Sequence, residues 1–174
     1  LHSSTTVRSS GGGGIKLLFT PGPLTTSQSV RDALPHDYGS RDATFMQSVA
    51  DVRAGLEALA ATPEEASNAD APSRFTATII PGSGTYSVES VVTSVVPRDG
   101  GRLLVLVNGA YGQRIAKIAE TSGIDHDCLE FDWTKPMDMA ILSAHLSDSA
   151  NNGKYDCVAV IHHETTTGMI NPVT

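Results

Sequence analysis

The chain has 174 residues, 40% of them hydrophobic, and an excess of acidic side chains that gives a formal net charge of −7. This length suits one α/β domain with a sizeable core. The acidic balance argues against nonspecific nucleic-acid binding, which needs a basic surface. No apolar run approaches the roughly 20 residues of a bilayer-spanning helix, so we expect neither nucleic acid nor a membrane as partner.

Residues 1–14 end in four consecutive glycines and include no initiator Met. A flexible linker and the remnant of a Ser/Arg-rich targeting peptide both fit this composition. We expect this stretch to be disordered and residues 15–174 to fold. The expected location is the cytoplasm, or an organelle if the stretch is a targeting remnant.

Helical and strand-like patterns then alternate along the chain. Apolar residues between Val49 and Ala60 recur with helical spacing, and residues 75–80 form a β-branched run typical of a strand. Val88 to Val96 carries a valine face that predicts a helix. The near-continuous apolar run at 102–107 predicts a buried parallel strand.

The second half of the chain continues this alternation. Residues 111–122 are predicted to form a helix with three residues facing inward: Ile115, Ile118 and Ala119. Further along, we predict a strand at 128–131, a helix at 139–146, a strand at 155–161 and the entry to another helix at 170–174. Cys128 and Cys157 lie in strand-like runs and are predicted to be buried free thiols.

Strands that alternate with helices through short connections indicate an α/β fold with a mostly parallel sheet flanked by helices. Ligands of such sheets bind beyond the carboxyl ends of the strands. Polar loops follow three of the predicted strands, after Ile80, Val107 and Ile161. Because these loops fall at the same edge of the sheet, together they predict a ligand site there.

The first of these loops, Gly-Ser-Gly-Thr at residues 82–85, lies between a predicted strand and a predicted helix. Backbone N–H groups and the positive end of a helix dipole favour phosphate at such a position. No Lys-Ser/Thr follows, so the segment is not a Walker A loop. Taken alone it equally fits a plain helix start with Ser83 or Thr85 as N-cap. The flanking strand and valine face favour a phosphorylated cofactor over a free nucleotide.

The other two loops carry further candidates. Tyr111 either stacks on a planar ring or is a boundary tyrosine that packs on the surface. The hydroxyls of Thr165 and Thr166 suit a phenolic or phosphate oxygen, with a capped turn as the alternative. His162 and His163 point to opposite faces of an extended segment and lack further ligands, so no metal site is expected. Residues 36–42 fit either a substrate or subunit contact or a surface turn.

In their order along the chain, these segments resemble the class V aminotransferases. The resemblance covers residues 16–174 and is carried by Leu-Phe-Thr-Pro-Gly-Pro-Leu-Thr-Thr at 18–26, Tyr-Gly-Ser-Arg-Asp at 38–42, Gly-Ser-Gly-Thr at 82–85, Val-Pro-Arg-Asp-Gly at 96–100, Asn-Gly-Ala-Tyr-Gly-Gln-Arg at 108–114 and His-Glu-Thr-Thr-Thr-Gly at 163–168. As an ordered set these motifs are highly specific. The spellings at 20–26 and 164–168 favour the members that act on 2-aminoethylphosphonate.

The resemblance implies a partial large domain of a fold-type I transferase that depends on pyridoxal 5′-phosphate. By that resemblance, Ser83, Gly84 and Thr85 bind the phosphate of the cofactor. Tyr111 would stack on the pyridine ring, and Thr165 would lie on the side of its O3′ atom.

The implied reaction transfers the amino group of 2-aminoethylphosphonate to pyruvate and yields phosphonoacetaldehyde and L-alanine, a step of phosphonate catabolism. Gly22 matches a turn on the substrate side, and the implied assembly of the full-length protein is a homodimer. In the family, the Schiff-base Lys and the Asp that pairs with the pyridine nitrogen follow the 163–168 motif. We therefore expect an N-terminal part that contains no catalytic residue and is inactive alone.

Two alternatives stay open. An aminotransferase of the alanine–glyoxylate or serine–pyruvate type shares several of the motifs. A non-catalytic chain that binds a phosphorylated ligand, or that pairs with a full-length subunit, would use the same loops without the chemistry.

Overall fold

In the computed structural model, the residues described are 17–18, 22–62 and 74–173. They divide into two compact units between Thr78 and Ile79. The prediction that residues 1–14 are disordered lies outside the described residues. Within the described ranges, no helix has both the length and the apolar character that crossing a bilayer requires.

The first unit contains two helices, α1 (Gln28–Ala33) and α2 (Ala43–Ala60). The α2 helix begins after Asp42, whose carboxylate accepts hydrogen bonds from two N–H groups of the first turn at 2.9 and 3.2 Å. That contact satisfies donors that a helix start otherwise leaves unpaired. The helix predicted from Val49 to Ala60 is confirmed. Neither helix buries a residue, so the apolar stripe of α2 is exposed.

The second unit alternates helices and strands, as predicted. Its elements are α3 (Gly84–Val95), β1 (Arg102–Val107), α4 (Ala110–Thr121), β2 (Asp125–Glu130), α5 (Met139–Ser147), β3 (Cys157–Ala159), β4 (His163–Glu164) and β5 (Met169–Ile170). The first three strands form one sheet in the order β2-β1-β3, and both pairings are parallel. The predicted α/β fold with a parallel sheet flanked by helices is confirmed.

The central strand β1 is also the centre of the core. Its last five residues are each at most 2% exposed, as expected of a strand with a neighbour on each side and helices over the sheet. Alternate side chains point to opposite faces. Leu103, Val105 and Val107 contact α3 and α4 on one face. On the other face, Leu104 and Leu106 lie against Met137 and partly buried residues of α5.

Helices α3 and α4 cover one face of the sheet. The three residues of α4 predicted to face inward are all buried: Ile115, Ile118 and Ala119. On the predicted valine face of α3, Val92 and the capping Val96 are buried, whereas Val91 and Val95 are more than half exposed. The apolar stripe of α3 is therefore wider than the surface that α4 and β1 cover.

Two predicted strands differ from the structure. Residues 75–80 form no strand, although their composition favours one, because no strand of the described chain pairs with them. Ile79 and Ile80 are accordingly about half exposed. The strand predicted at 155–161 shortens to β3, because within the described residues only Cys157 to Ala159 pair with β1.

The predicted helix entry at 170–174 is wrong for the residues that the structure describes. Strand β5 instead pairs antiparallel with β4. Gly168, with φ +74°, adopts the left-handed conformation that glycine tolerates best and lets the chain reverse between the two strands. The N–H of Asn171 then donates to the carbonyl of His162 at 2.7 Å. The Glu-Thr-Thr-Thr-Gly segment is therefore a tight hairpin.

Both cysteines are free thiols, as predicted, but the prediction that they are buried is wrong. Cys128 is exposed and Cys157 is partly exposed. Each lies on an outer strand of the three-stranded sheet, where fewer neighbours cover a side chain than on β1.

A polar cluster around Asp127 joins the amino ends of β1 and β3 to β2. Its carboxylate accepts hydrogen bonds from the guanidinium of Arg102 at 3.0 and 3.1 Å, the ammonium of Lys154 at 2.9 Å and the hydroxyl of Tyr155 at 2.8 Å. The bonds from Arg102 and then Lys154 lower the pKa of Asp127 well below its ordinary value. Burial, and then the bond to Asp127, raises the pKa of Tyr155.

Candidate functional site

Three loops of the second unit meet beyond the carboxyl end of β1. One begins α3, the second joins β1 to α4, and the third is the turn between β4 and β5. Side-chain contacts connect the first loop to the second and the second to the third.

The first loop begins α3 with an N-cap and leaves part of the helix start unpaired. The hydroxyl of Ser83 accepts a hydrogen bond from the N–H of Tyr86 at 3.2 Å. Within the described part of the chain, the N–H groups of Gly84 and Thr85 have no hydrogen-bond partner. A Cβ placed on Gly84 would meet no heavy atom within 4 Å. Two donors at the positive end of α3 therefore border open space.

Arg114 connects this loop to the start of α4. Its guanidinium donates to the hydroxyl of Thr85 at 3.1 Å. The guanidinium carbon also lies 4.8 Å from the centroid of the Tyr111 ring, within the range of a cation–π contact. Thr85 and Tyr111 are thereby linked through one side chain. Sequence reasoning missed Arg114, although its position three residues after Tyr111 on a helix placed the two side chains on one face.

The start of α4 is closed by side chains of the third loop. One carboxylate oxygen of Glu164, Oε2, accepts from the N–H groups of Tyr111 at 3.0 Å and Gly112 at 3.1 Å. The hydroxyl of Thr166 accepts from the N–H of Ala110 at 3.1 Å. All three N–H groups of the first turn are paired, and a carboxylate at this helix end is favoured by the dipole.

The two helix starts therefore differ in what they offer to an anion. At the start of α4, the carboxylate of Glu164 already occupies the position where an anion would bind, and its charge would repel a second anion. At α3 two N–H groups are available, and the guanidinium of Arg114 is close enough to bond Thr85. A phosphate group consequently fits the start of α3 and not the start of α4.

In the third loop, the contacts belong to Thr166 rather than to Thr165. The Thr166 hydroxyl donates to Oε1 of Glu164 at 2.5 Å, and the Thr166 N–H donates to the same oxygen at 3.3 Å. These bonds make the segment a capped turn, which is one of the two interpretations of Thr166 that the sequence allowed. Thr165 is partly exposed, and its role toward a cofactor stays a prediction.

A buried amide pair fastens the third loop to the end of β1. Asn108 and Asn171 are each 1% exposed and exchange hydrogen bonds of 2.7 and 3.0 Å. Asn171 also donates to the carbonyl of Ile161 at 2.7 Å. Sequence reasoning missed Asn171 and assigned no role of its own to Glu164, which it used only as part of the motif at 163–168. The one signal in the sequence was a polar residue directly after an apolar run.

The remaining predicted positions are Gly22, His162 and His163. Gly22 is exposed in the first unit, and its role toward a substrate stays a prediction. His162 and His163 are exposed. Across the described ranges, no three His, Cys, Asp or Glu side chains group closely enough to hold a metal ion.

Comparison with known proteins identifies transaminase relatives. No protein-family model matches the chain. The 2-aminoethylphosphonate–pyruvate transaminase of Bacillus cereus (strain ATCC 10987) is 39% identical over 157 residues, which cover 90% of this chain and 40% of that protein. The enzyme of the same name from Bacillus mycoides (strain KBAB4) is 40% identical with the same coverage. The chain thus spans about 40% of the length of these curated relatives.

Solved structures show the same fold. Ureidoglycine–glyoxylate aminotransferase from Bacillus subtilis superposes with a TM-score of 0.73 and 25% identity, over 95% of this chain and 39% of that one. Alanine–glyoxylate aminotransferase from Nostoc sp. gives a TM-score of 0.70 and 23% identity, over 95% of this chain and 40% of that one. These structures share the predicted α/β fold with a parallel sheet flanked by helices, and the resemblance to class V aminotransferases is confirmed.

Proposed function

Because the chain resembles class V aminotransferases over 90% of its length, we propose that it is the N-terminal part of a transaminase that depends on pyridoxal 5′-phosphate. The proposed reaction transfers the amino group of 2-aminoethylphosphonate to pyruvate and yields phosphonoacetaldehyde and L-alanine. The observation that carries this proposal is the open start of α3, where two unpaired N–H groups lie next to the Thr85 hydroxyl and the guanidinium of Arg114.

The residues fit the phosphate of such a cofactor. Gly84 and Thr85 would donate their N–H groups to it, and the absence of a side chain at Gly84 leaves room for its oxygens. The Thr85 hydroxyl accepts from Arg114 and would donate its own proton to the phosphate. Ser83 holds the turn in shape through its bond to Tyr86. When bound, pyridoxal phosphate supplies an electron sink, while the protein orients the ring and the substrate.

The ring of the cofactor would lie on Tyr111. One face of the Tyr111 ring carries the guanidinium of Arg114, so the cofactor ring would take the opposite face. Thr165, in the hairpin turn next to Glu164, would place its hydroxyl near the O3′ atom.

The remaining features of the proposal concern the complete protein. Gly22 would contribute to binding the substrate, and the assembly would be a cytoplasmic homodimer. Catalysis would need a lysine outside this chain. Lys117, Lys135 and Lys154 each pair with a carboxylate, of Glu120, Asp132 and Asp127 respectively. None of these pairs includes a predicted cofactor residue.

Assays on the complete polypeptide test the reaction. We expect faster alanine formation from 2-aminoethylphosphonate and pyruvate than transfer from alanine to glyoxylate or from serine to pyruvate. A preference for glyoxylate would replace the proposal by a different class V activity. No transfer with any pair would favour the non-catalytic alternative.

Borohydride reduction tests the expected inactivity of the 174-residue chain. After addition of pyridoxal phosphate, we expect no stoichiometric adduct at a single lysine, because a transaminase forms its bond to the cofactor through a dedicated lysine. A single, fully modified lysine would contradict that expectation.

A substitution in α3 tests the phosphate site. In the complete polypeptide, Thr85→Val should weaken the binding of pyridoxamine 5′-phosphate by about tenfold or more, the value of a hydrogen bond to a charged group. The affinity for pyridoxamine, which has no phosphate, should not change. Thr93→Val is the matched control, because the Thr93 hydroxyl bonds a carbonyl of its own helix. Equal effects on both ligands would contradict the assignment of the phosphate to α3.

A further inference from the structure

Glu164 is a fully buried acidic side chain that the proposed chemistry does not use. Its exposed fraction is 0%. Burying a carboxylate is costly unless hydrogen bonds replace its water. Four donors supply that replacement: three backbone N–H groups and one hydroxyl. Both carboxylate oxygens accept hydrogen bonds from these donors, so neither is left unpaired to bind a metal ion or a substrate.

Two of the four donors belong to the start of α4, and the other two belong to the hairpin turn between β4 and β5. The Oε2 atom binds the N–H groups of Tyr111 and Gly112, the first turn of α4. The Oε1 atom binds the N–H and hydroxyl of Thr166, in the hairpin turn. Thr165 lies between Glu164 and Thr166 in the chain. One side chain therefore fixes the backbone of the residue proposed to stack on the ring and the turn that carries the proposed O3′ partner.

The side chain of Glu164 packs directly against the backbone of Gly109. A Cβ on Gly109 would come within 2.8 Å of Oε2 of Glu164 and closer still to two of its carbon atoms. Asn108, the residue before Gly109, exchanges hydrogen bonds with Asn171, which follows the hairpin. The Glu164 carboxylate is therefore closely packed as well as hydrogen-bonded.

From this geometry we infer that Glu164 is a positioning residue, which sets the orientation of Tyr111 and of the turn carrying Thr165 and thereby the geometry of the cofactor ring. This inference rests on the proposed function, because that function makes Tyr111 and Thr165 contacts of the cofactor ring. The hydrogen bonds of Glu164 do not depend on the proposed function.

Hydrogen exchange tests the positioning without a cofactor. In the 174-residue chain, Glu164→Ala should raise the exchange rates of the Tyr111 and Gly112 amides by about tenfold or more, because a buried hydrogen bond is lost at each. Amides of β1 should keep their rates. Glu164→Gln, which retains one oxygen acceptor, should restore most of the protection. Glu120→Gln is the control, since this residue is exposed on the same helix.

Two exchange results would overturn the inference. One is wild-type protection of Tyr111 and Gly112 in Glu164→Ala. The other is an equal loss of protection in β1 and at the start of α4, which would make Glu164 a general contributor to stability. If the alanine variant does not fold, Glu164→Gln decides: loss of the charge at the start of α4 should leave the Tyr111 and Gly112 amides measurably less protected than in the wild type, and wild-type protection would overturn the inference.

Binding of pyridoxamine 5′-phosphate to the complete polypeptide tests the consequence for the ring. We expect Glu164→Ala to weaken binding by about tenfold or more and to change the circular dichroism band that the bound ligand acquires, with Glu120→Gln unchanged. Wild-type affinity and an unaltered band in Glu164→Ala would overturn the effect on the ring. If the wild-type protein does not bind the ligand, the proposed function fails, and the exchange experiment alone decides the positioning of Tyr111.

Discussion

Position 109 requires glycine because the side chain of Glu164, which lies 55 residues further along the chain, packs against it. Its φ of 174° is extended backbone that any residue adopts, so the requirement is one of space. The carboxylate of Glu164 occupies the volume that a Cβ would fill. The loop after Val107 was predictable from local sequence patterns. Such patterns hold no information about a contact between distant residues, so the reason for the glycine was not predictable.

Gly109→Ala should therefore destabilise the protein. We expect a loss of about 1–3 kcal/mol in the free energy of unfolding, the usual cost of overpacking, measured by denaturant titration. Gly84→Ala is the matched control, because its Cβ would meet nothing within 4 Å, and its effect should stay within about 0.5 kcal/mol. Equal losses for the two variants would contradict the proposed clash.

Asp127 gives the protein a defined sensitivity to acid. The folded state lowers the pKa of this carboxyl through Arg102, Lys154 and Tyr155, so its stabilising contribution is complete above the unfolded pKa of about 4. The contribution is lost progressively as the pH falls below that value. The melting temperature of the wild type should drop more steeply than that of Asp127→Asn on acidification below about pH 4. Parallel curves would show that Asp127 does not couple folding to pH.

The predicted site residues divide according to how local their interactions are. Ser83 was predictable as a cap because its partner lies three residues away. Tyr111 was predictable as a residue at a strand-to-helix turn. The contacts of Glu164, Arg114 and Asn171 join separate loops, and spacing along one segment does not reveal them.

At the scale of elements, the same composition leads to a strand in one place and not in another. The apolar runs at 75–80 and 102–107 look alike in sequence. Among the described residues, only the second has neighbouring strands, β2 and β3, to complete its backbone hydrogen bonds. A strand is defined by its partners as well as by its own residues, so patterns predicted β1 correctly and residues 75–80 wrongly.

Helix α2 depends on its own sequence more than α4 does. It buries no residue, so capping and intrahelical pairs such as Arg53 with Glu57 are what its own residues contribute to its stability. Asp42→Ala removes the cap and should reduce the stability of α2 by about 1 kcal/mol. Hydrogen exchange of the α2 amides should accelerate, with Asp37→Ala as the control in the preceding loop. Unchanged exchange in Asp42→Ala would mean that contacts outside the helix hold it.

At the scale of the whole molecule, a large share of the apolar side chains is exposed. Val52 and Leu56 of α2, Val91 and Val95 of α3, and Val158 of β3 are each close to or more than half exposed. Exposed apolar surface of this kind promotes association. The 174-residue chain by itself should therefore associate in a concentration-dependent way in sedimentation experiments. A chain that stays monomeric as its concentration rises would contradict this expectation.

The outer strand β3 offers a specific route for that association. It pairs only with β1 in the described sheet, and Val158 is 46% exposed. A charge on an open strand edge discourages pairing with another chain. Val158→Lys should reduce association, whereas Ser149→Lys, which adds the same charge on an exposed loop, should not. Equal effects would indicate that net charge, and not the strand edge, controls the behaviour.

The bond between Glu164 and the N–H of Tyr111 also bears on the order in which the chain folds. It joins residues 53 positions apart, and the pairing of Leu103 with Cys157 in the sheet spans a similar length. Burial of β1 offsets the entropy of closing that loop, and the single contact of Glu164 adds little to it. We expect the sheet to form first and this contact after the rate-limiting barrier. Glu164→Gln should then speed unfolding and leave refolding unchanged in stopped-flow experiments, whereas slower refolding would place Glu164 in the nucleus. A contact made last is also broken early, so the start of α4 is where we expect a protease to gain its first access.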